Sequence, residues 1–320
     1  MNATSSQLSG RLQAIRARAI LYQHIREFFS QRQVLEVETP VLQSVQNSNN
    51  PAIIVQRQII GEAQRSDLPT CLHTSPAFAM QQLLTCGCGA IYQICKVFPH
   101  SIKAHEQQRK HSSEFSMLAW YTPDTTFAQL MQDIDELLAH VFGYRVDFEV
   151  ISYQHAFMRR LDINPHRAEI KQLKELARRV GLNVNYGEDR MAWLEALFCH
   201  FVEPTLGYNQ PVFLTDFPLE MAATAQSKVN DDGITVATKF DLYIDGLKLA
   251  SGQQMHIEQS LNHMPENPKL ENQILENEIL ENQHTVLPHG RILLGLDRLL
   301  MLLMDKRRID QVMSFPVYPD

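Results

Sequence analysis

The 320-residue sequence predicts an α+β fold built on an antiparallel sheet. Strand-like runs are dispersed among helical runs, without the strand-helix-strand rhythm of a parallel sheet. An Asp-Gly pair at 245–246 joins two alternating runs, as in a two-residue β-hairpin turn. The hydrophobic content of 44% is enough for one large core or two modest ones.

The first half of the chain alternates a long helix with strands. Residues 1–10 are polar, and we expect them to be flexible. Residues 11–31 have apolar side chains at helical spacing, and "VLEVETPVL" then has strand character and is closed by Pro40. Residues 89–98 and 114–121 predict two antiparallel strands joined by a long loop. Ordered loops of about 15 residues are usually functional.

The second half returns from helices to strands. Helices are predicted at 127–142, 168–181 and 189–202, a strand at 211–218 and the hairpin at 238–252. Alternation along the hairpin predicts Leu247 and Leu249 on one face and Lys248 and Ala250 on the other. In 269–283, Leu-Glu-Asn repeats every five residues, so we interpret 256–287 as a low-complexity or variable segment.

Charge, cysteines and hydropathy exclude several functional classes. A formal net charge of −7 disfavours extensive nucleic-acid binding, which relies on a basic surface. The N-terminus does not have the pattern of a secretion signal, and no run of about 18 apolar residues occurs, so we expect a cytoplasmic protein that does not enter the membrane. The five cysteines lack zinc-site spacing and are interpreted as buried thiols, so no metal ligands are predicted.

Three segments stand in a recognisable order: "VLEVETP", a strand-loop-strand ending in "EFSMLAWY", and "LGLDRLLML". Together they resemble motifs 1, 2 and 3 of class II aminoacyl-tRNA synthetases. "TSPAFAMQQLLTCGCGAIYQICKVF" is most similar to the lysyl-tRNA synthetase paralogues that attach (R)-β-lysine to a lysine of elongation factor P. The similarity runs from about residue 11 to 315. It implies a catalytic domain over 11–320, a six-stranded antiparallel sheet flanked by helices, and a homodimer formed through motif 1.

The resemblance also implies an activity. Such a protein is an ATP-dependent ligase that activates a lysine-type amino acid as an adenylate and transfers it to a lysine of elongation factor P. ATP and Mg2+ are the implied cofactors. The chain begins at the catalytic domain and has no room for an N-terminal anticodon-binding barrel, so we do not expect tRNA anticodon recognition.

Matching the motifs residue by residue implies the site. Arg298 of motif 3 reaches the γ-phosphate of ATP, for which the planar, permanently charged guanidinium is suited. Gly295 allows close approach of the nucleotide, and Phe115 stacks on adenine. The resemblance also implies that Leu249 binds ATP. The substrate-binding residues are Ser75, Pro76 and Tyr121.

The nucleotide side of the site departs from the family pattern. The family has an arginine for the α-phosphate directly after the position of Phe98, where this chain has Pro99. Arg109 of the longer motif 2 loop either replaces it or belongs to a solvated loop. The family's small residues before the motif 3 glycine are replaced here by Arg291 and Leu293.

Acids are missing on the amino-acid side. Ala77 replaces the acid of the family's "SPE", and Ala119 replaces that of "LEWY". Lys248 and Met255 stand where the family has two glutamates near magnesium and the substrate amine. An ammonium cannot coordinate a metal, and a buried ammonium without a counter-charge costs several kcal/mol. Two interpretations follow: a ligase retuned to another substrate, or a catalytically inactive paralogue that acts as a binding or regulatory protein.

Overall fold

The computed structural model describes residues 5–44, 53–55, 70–99, 112–222, 224–255 and 288–315. The helices in this part of the chain are α1 Ser5–Gln31, α2 Ala77–Thr85, α3 Phe127–Phe142, α4 Tyr153–Leu161, α5 Ile170–Arg179, α6 Arg190–Leu197 and α7 Leu296–Leu303. The strands are β1 Leu35–Glu36, β2 Leu42–Ser44, β3 Ile53–Val55, β4 Thr70–Leu72, β5 Ile91–Val97, β6 Phe115–Pro123, β7 Glu149–Ser152, β8 Val212–Thr215, β9 Ser227–Val229, β10 Thr235–Ala237, β11 Lys239–Ile244, β12 Leu247–Met255 and β13 His289–Gly295. None of the described helices is long and apolar enough to cross a membrane.

The chain forms two compact units. Unit 1 comprises Met1–Asp124, His140–Phe142 and Ile257–Asp320, and unit 2 comprises Thr125–Ala139 and Gly143–His256. In unit 1, the strands follow the order β1-β5-β6-β13. The aromatic rings of α1 cover one face of these strands: Phe29 stacks on Tyr92 at 3.9 Å between ring centroids and meets Trp120 edge-on at 4.8 Å.

In unit 2, the strands follow the order β12-β11-β8-β7. Its core is built by α4, α5, α6 and the π-helical turn Phe198–Val202, which pack together with residues of β7, β8 and β11. Tyr153 is the aromatic centre of this core and lies 4.8 Å from Phe157 and 5.2 Å from Phe198 between ring centroids.

The predicted α+β class is confirmed, but the strand count of six is wrong. Four strands in unit 1 and four in unit 2 make eight such strands in the described residues. Within the units, β5, β6 and β13 pair antiparallel, as do β12, β11 and β8. The two additional strands, β1 and β7, each pair in parallel with one neighbour. Strand β1 lies within the run "VLEVETPVL" that was predicted to have strand character, whereas β7 has four residues and is too short for a periodic pattern to reveal it.

Helix prediction succeeded where the caps are strong. The structure has α3 over the predicted 127–142, because the Thr126 side chain accepts from Gln129 N at the start and Gly143 ends the helix in the left-handed conformation. The first helix begins at Ser5, before the predicted residue 11. Flexibility of residues 1–10 stays a prediction. Strand β7 and helix α4 were not predicted.

The predicted Asp-Gly turn is present between β11 and β12. Asp245 and Gly246 both have positive φ, 50° and 67°, as a type I′ hairpin requires. The predicted face assignment is wrong. Ala250 pairs with Leu242, whereas Lys248 pairs with Tyr243, so a bulge at Leu249 places Lys248 and Ala250 on opposite faces.

A buried carboxylate fixes the start of α7 in unit 1. Asp297 is 2% exposed, and its two oxygens accept from Arg18 Nη2 at 2.5 Å and from the backbone N of Ser116 at 2.6 Å. Arg18 also donates to the carbonyl oxygen of Val312 at 3.0 Å. Burial lowers the pKa of Arg18, but Asp297 and Tyr22 raise it more, so the guanidinium stays charged. Of the two adjacent charged residues of motif 3, Asp297 and Arg298, the acid therefore has a structural role.

We predict that Asp297→Ala lowers the free energy of unfolding by about 3–5 kcal/mol, because it leaves the Arg18 charge without its buried partner. Urea titration of the purified protein measures the change. The matched control is Glu188→Ala, which removes a surface pair with Lys174 and should cost at most about 1 kcal/mol. Equal effects of the two substitutions would show that Asp297 does not anchor the helix.

Candidate active site

Three implied site residues of unit 1, Phe115, Tyr121 and Gly295, lie on one face of β5, β6 and β13. Tyr121 pairs with Ile91 on one side and Arg291 on the other. Paired residues share a face, and every second residue of a strand returns to it. We call this surface the site face, and its members are Ile91, Gln93, Cys95, Val97, Phe115, Met117, Ala119, Tyr121, Arg291, Leu293 and Gly295.

Phe115 begins β6 opposite Val97 and is half-buried. An aromatic ring that keeps one part accessible at the end of a strand ladder is suited to cover a flat base. The structure is compatible with the predicted stacking on adenine, which stays a prediction.

Gly295 and Arg298 stand at the junction of β13 and α7. Gly295 is the N-cap residue, with φ −76° and ψ 101°, a conformation open to any residue. Arg298 lies in the first turn of α7 and is half-buried. Because Asp297 ties this turn to β6, the backbone that carries Arg298 is held in place. Phosphate contacts of Gly295 and Arg298 stay predictions.

Ser75 and Pro76 lie just before α2, and Pro76 is its buried N-cap residue. The Ser75 hydroxyl is buried and makes no hydrogen bond within the described residues. A neighbour, His73, fixes this segment because its Nε2 lies 2.7 Å from the carbonyl oxygen of Lys96 on β5. Burial lowers the pKa of His73, which keeps the ring neutral near pH 7. The segment is thus held rigidly beside the site face.

The amino-acid side of the site face is apolar. Ala119 and Tyr121 are fully buried and form one cluster with Met80 and Leu84 of α2. Other members, buried or partly buried, are Ile91, Val37, Ala77, Leu83, Cys88 and Leu293. Ala77 and Ala119, where the resemblance implies acids, therefore belong to an apolar packing cluster.

Tyr121 and Arg291 are the polar groups at this end of the site face. Burial raises the pKa of the Tyr121 phenol, and the guanidinium of Arg291 opposes that rise. The phenol is therefore neutral at physiological pH. The predicted placement of Tyr121 on the floor of the site is compatible with this arrangement, whereas contact with a substrate stays a prediction.

In unit 2, the bulge brings Lys248 to the face of Asp241. Asp241 is 2% exposed, and its Oδ2 lies 2.5 Å from Lys248 Nζ and 3.4 Å from Lys239 Nζ. Burial disfavours the charged carboxylate, but the two ammonium groups outweigh burial and hold the pKa of Asp241 below its usual value. One carboxylate with two ammonium groups leaves a local charge of about +1.

The described residues do not fit a magnesium site. No group of three or more His, Cys, Asp or Glu side chains able to hold a metal occurs among them. The buried Asp241 is engaged by two lysines, Lys239 and Lys248. Mg2+ requires several oxygen ligands, so these residues provide no basis for a metal-dependent step. The groups implied for ATP, an accessible aromatic ring and an arginine at a helix start, are present in unit 1.

The structure adds no support for the site roles implied for Leu249 and Arg109. Leu249 is 2% exposed at the bulge of β12, so packing is enough to explain its apolar side chain. Arg109 lies outside the described residues, as does the Leu-Glu-Asn repeat. The roles of Leu249 and Arg109 stay predictions.

Sequence reasoning missed two charged groups. Asp241 interrupts the otherwise largely apolar run "KFDLYI", and an isolated acid at a strand position that should be buried is a detectable signal. Arg18 had no such signal, because it lies among several arginines of α1 and its partner is 279 residues away.

Three curated relatives match nearly the whole chain. The elongation factor P–(R)-β-lysine ligase of Pseudoalteromonas translucida is 34% identical over 320 residues, 97% of each protein. The ligase of the same name from Edwardsiella ictaluri is 34% identical over 311 residues, 94% of each. That of Yersinia pestis (strain Pestoides F) is 33% identical over 334 aligned residues, 99% of each.

The model of the family "tRNA synthetases class II (D, K and N)" matches residues 7–319. Together with motif residues that lie on one strand face and at the start of α7, this extent of similarity is decisive for the family. The chain belongs to the class II tRNA synthetases of the aspartate, lysine and asparagine type.

Proposed function

We propose that the chain is an ATP-dependent ligase that activates an amino acid as an adenylate and attaches it to a lysine of elongation factor P. The observation that carries this proposal is its similarity, over 94–99% of their length, to relatives named as elongation factor P–(R)-β-lysine ligases. Those names make a lysine-type amino acid the first candidate substrate.

The chemistry takes two steps. The amino-acid carboxylate attacks the α-phosphate of ATP and displaces pyrophosphate, and the lysine amine of elongation factor P then attacks the acyl carbon and displaces AMP. Positioning and charge stabilisation dominate such reactions. Phe115 would hold the base and Arg298 the γ-phosphate. The α-phosphate needs a cation, for which Arg109 is the candidate.

A second candidate is a catalytically inactive paralogue that binds a partner or a small ligand. It is favoured by the absence of a metal-binding group among the described residues and by the Lys248–Asp241 pair. Several lost charges, each worth on the order of a hundredfold to a thousandfold in rate, would together remove most of the family activity.

The first prediction from this proposal is amino-acid-dependent exchange of labelled pyrophosphate into ATP. The purified full chain is assayed with Mg2+ and a panel that includes lysine, (R)-β-lysine and the other proteinogenic amino acids. Elongation factor P from the same source should then gain the mass of the active amino acid less one water, and its variant with the acceptor lysine changed to arginine should not. If folded protein binds ATP but catalyses no exchange with any amino acid, the inactive paralogue is the correct interpretation.

The second prediction concerns Arg298. We expect Arg298→Met to lower the exchange rate by about 100- to 1,000-fold, because one preorganised charge is removed from the phosphates. Arg307→Met, which removes an exposed charge beyond the end of the same helix, is the matched control and should change the rate less than about twofold. Thermal unfolding of both variants verifies their folding, and equal rates would exclude a phosphate role for Arg298.

We also propose a homodimer that uses α1. The side of α1 with Ala14, Leu21 and Ile25 is buried in unit 1. Its opposite side carries exposed apolar residues: Leu12, Ile15 and Ile20 are 48%, 46% and 54% exposed. Exposed apolar residues grouped on one helix side are typical of an interface, and the resemblance assigns this helix to motif 1.

The dimer proposal predicts that Ile20→Glu produces a monomer, because a charge would be buried in the contact. Light scattering after size exclusion measures the mass, and Gln31→Glu at the end of the same helix is the control. A wild-type monomer, or a variant that remains dimeric, would contradict the proposed interface.

A further inference from the structure

The site face lacks the counter-charge that a diamino acid needs. No Asp or Glu occurs in β5, β6, β13 or α2, the elements that build the site face and its apolar cluster. Burying a second ammonium against Ala77 and Ala119 would leave that charge unpaired among apolar groups, which is costly.

The charge that the site face does carry is positive. Arg291 lies on β13 directly opposite Tyr121 and is half-buried. Among the described residues, the ion pairs do not include Arg291. The neutral phenol of Tyr121 interacts electrostatically with this guanidinium. A guanidinium in this position offers two parallel donors suited to a carboxylate.

The apolar surroundings of Arg291 strengthen its preference for a carboxylate partner. Leu293 and Ala119 pair with each other next to Arg291 and Tyr121, so the guanidinium borders an apolar cluster. Charges interact more strongly in such surroundings than in water. A lysine side chain would bring a like charge towards Arg291, whereas an uncharged side chain would leave the guanidinium without an opposite charge.

We propose that the site face selects an amino acid with an anionic side chain, of the glutamate or aspartate class, and that Arg291 pairs with the side-chain carboxylate. The proposal rests on the proposed function for the premise that the site face receives an amino acid. It replaces the lysine-type candidate suggested by the relatives' names. Arg291 is thereby a specificity-determining residue.

The test is equilibrium binding of five amino acids, glutamate, glutamine, aspartate, asparagine and lysine, to the full chain, with a non-hydrolysable ATP analogue present, by isothermal titration calorimetry. Glutamate and glutamine differ in the one charge that Arg291 would recognise. We expect glutamate, or aspartate in a parallel titration against asparagine, to bind about 10- to 100-fold more tightly than its amide. Lysine should bind more weakly than either. Lysine binding as tight as that of the acids, equal binding of acid and amide, or no binding by any of them overturns the proposal.

Variants of Arg291 provide a second test of the proposal. Arg291→Glu should abolish acid binding and give measurable lysine binding, whereas Arg291→Gln should make glutamate and glutamine equivalent. Arg179→Glu, at the exposed end of α5, makes the same change of net charge elsewhere and should leave the preference unchanged. If both Arg291 variants keep the wild-type preference, the proposal is wrong.

Exchange assays separate this proposal from the proposed function. Glutamate or aspartate binding without exchange or transfer would contradict the ligase and leave the specificity intact. Exchange and transfer with lysine alone would support the ligase and overturn the specificity.

Discussion

The buried pair of Arg18 and Asp297 is the interaction on which the geometry of unit 1 depends. It joins α1, the first strand residues of β6 and the start of α7, and Arg18 also holds the carbonyl of Val312 near the end of the described chain. Apolar packing is not directional, so it cannot by itself set the angle at which α7 leaves β13. Two charge-assisted hydrogen bonds to one carboxylate do so, because they fix both its position and its orientation.

The same pair explains why an acid and a base stand together in an apolar helix. Successive helical residues point about 100° apart. When Asp297 points into the core, Arg298 therefore projects from the flank of the helix, half-buried and close to the end of β13. The structural acid thus positions the backbone of Arg298, and neither residue would be understood from amphipathic patterning alone.

Much of the fold was predictable because short stretches of sequence specify its helix ends and its hairpin turn. The caps of α3 are Thr126 and Gly143, and the hairpin turn is an Asp-Gly pair, so residues within a few positions specify each element. Predictions failed where contacts between residues distant in sequence determine the local structure. The bulge at Leu249 is set by pairing with β11, and it changed the face of Lys248. For the site, the motifs located Phe115, Tyr121 and Arg298 in the chain, but only the structure showed Arg291 opposite Tyr121.

The resemblance implies acids at the positions of Ala77, Ala119, Lys248 and Met255 and a small residue at that of Arg291. On that pattern, each of the five residues removes a negative charge, adds a positive one, or does both. This common direction is the one expected of retuning, because random loss would remove cations and anions alike. Lys248 is also compensated by the buried Asp241. The loss of the motif 2 arginine that the resemblance implies at Pro99 lies on the nucleotide side, where Arg298 is present. None of these positions takes part in the anchor formed by Arg18 and Asp297, so the anchor does not depend on them.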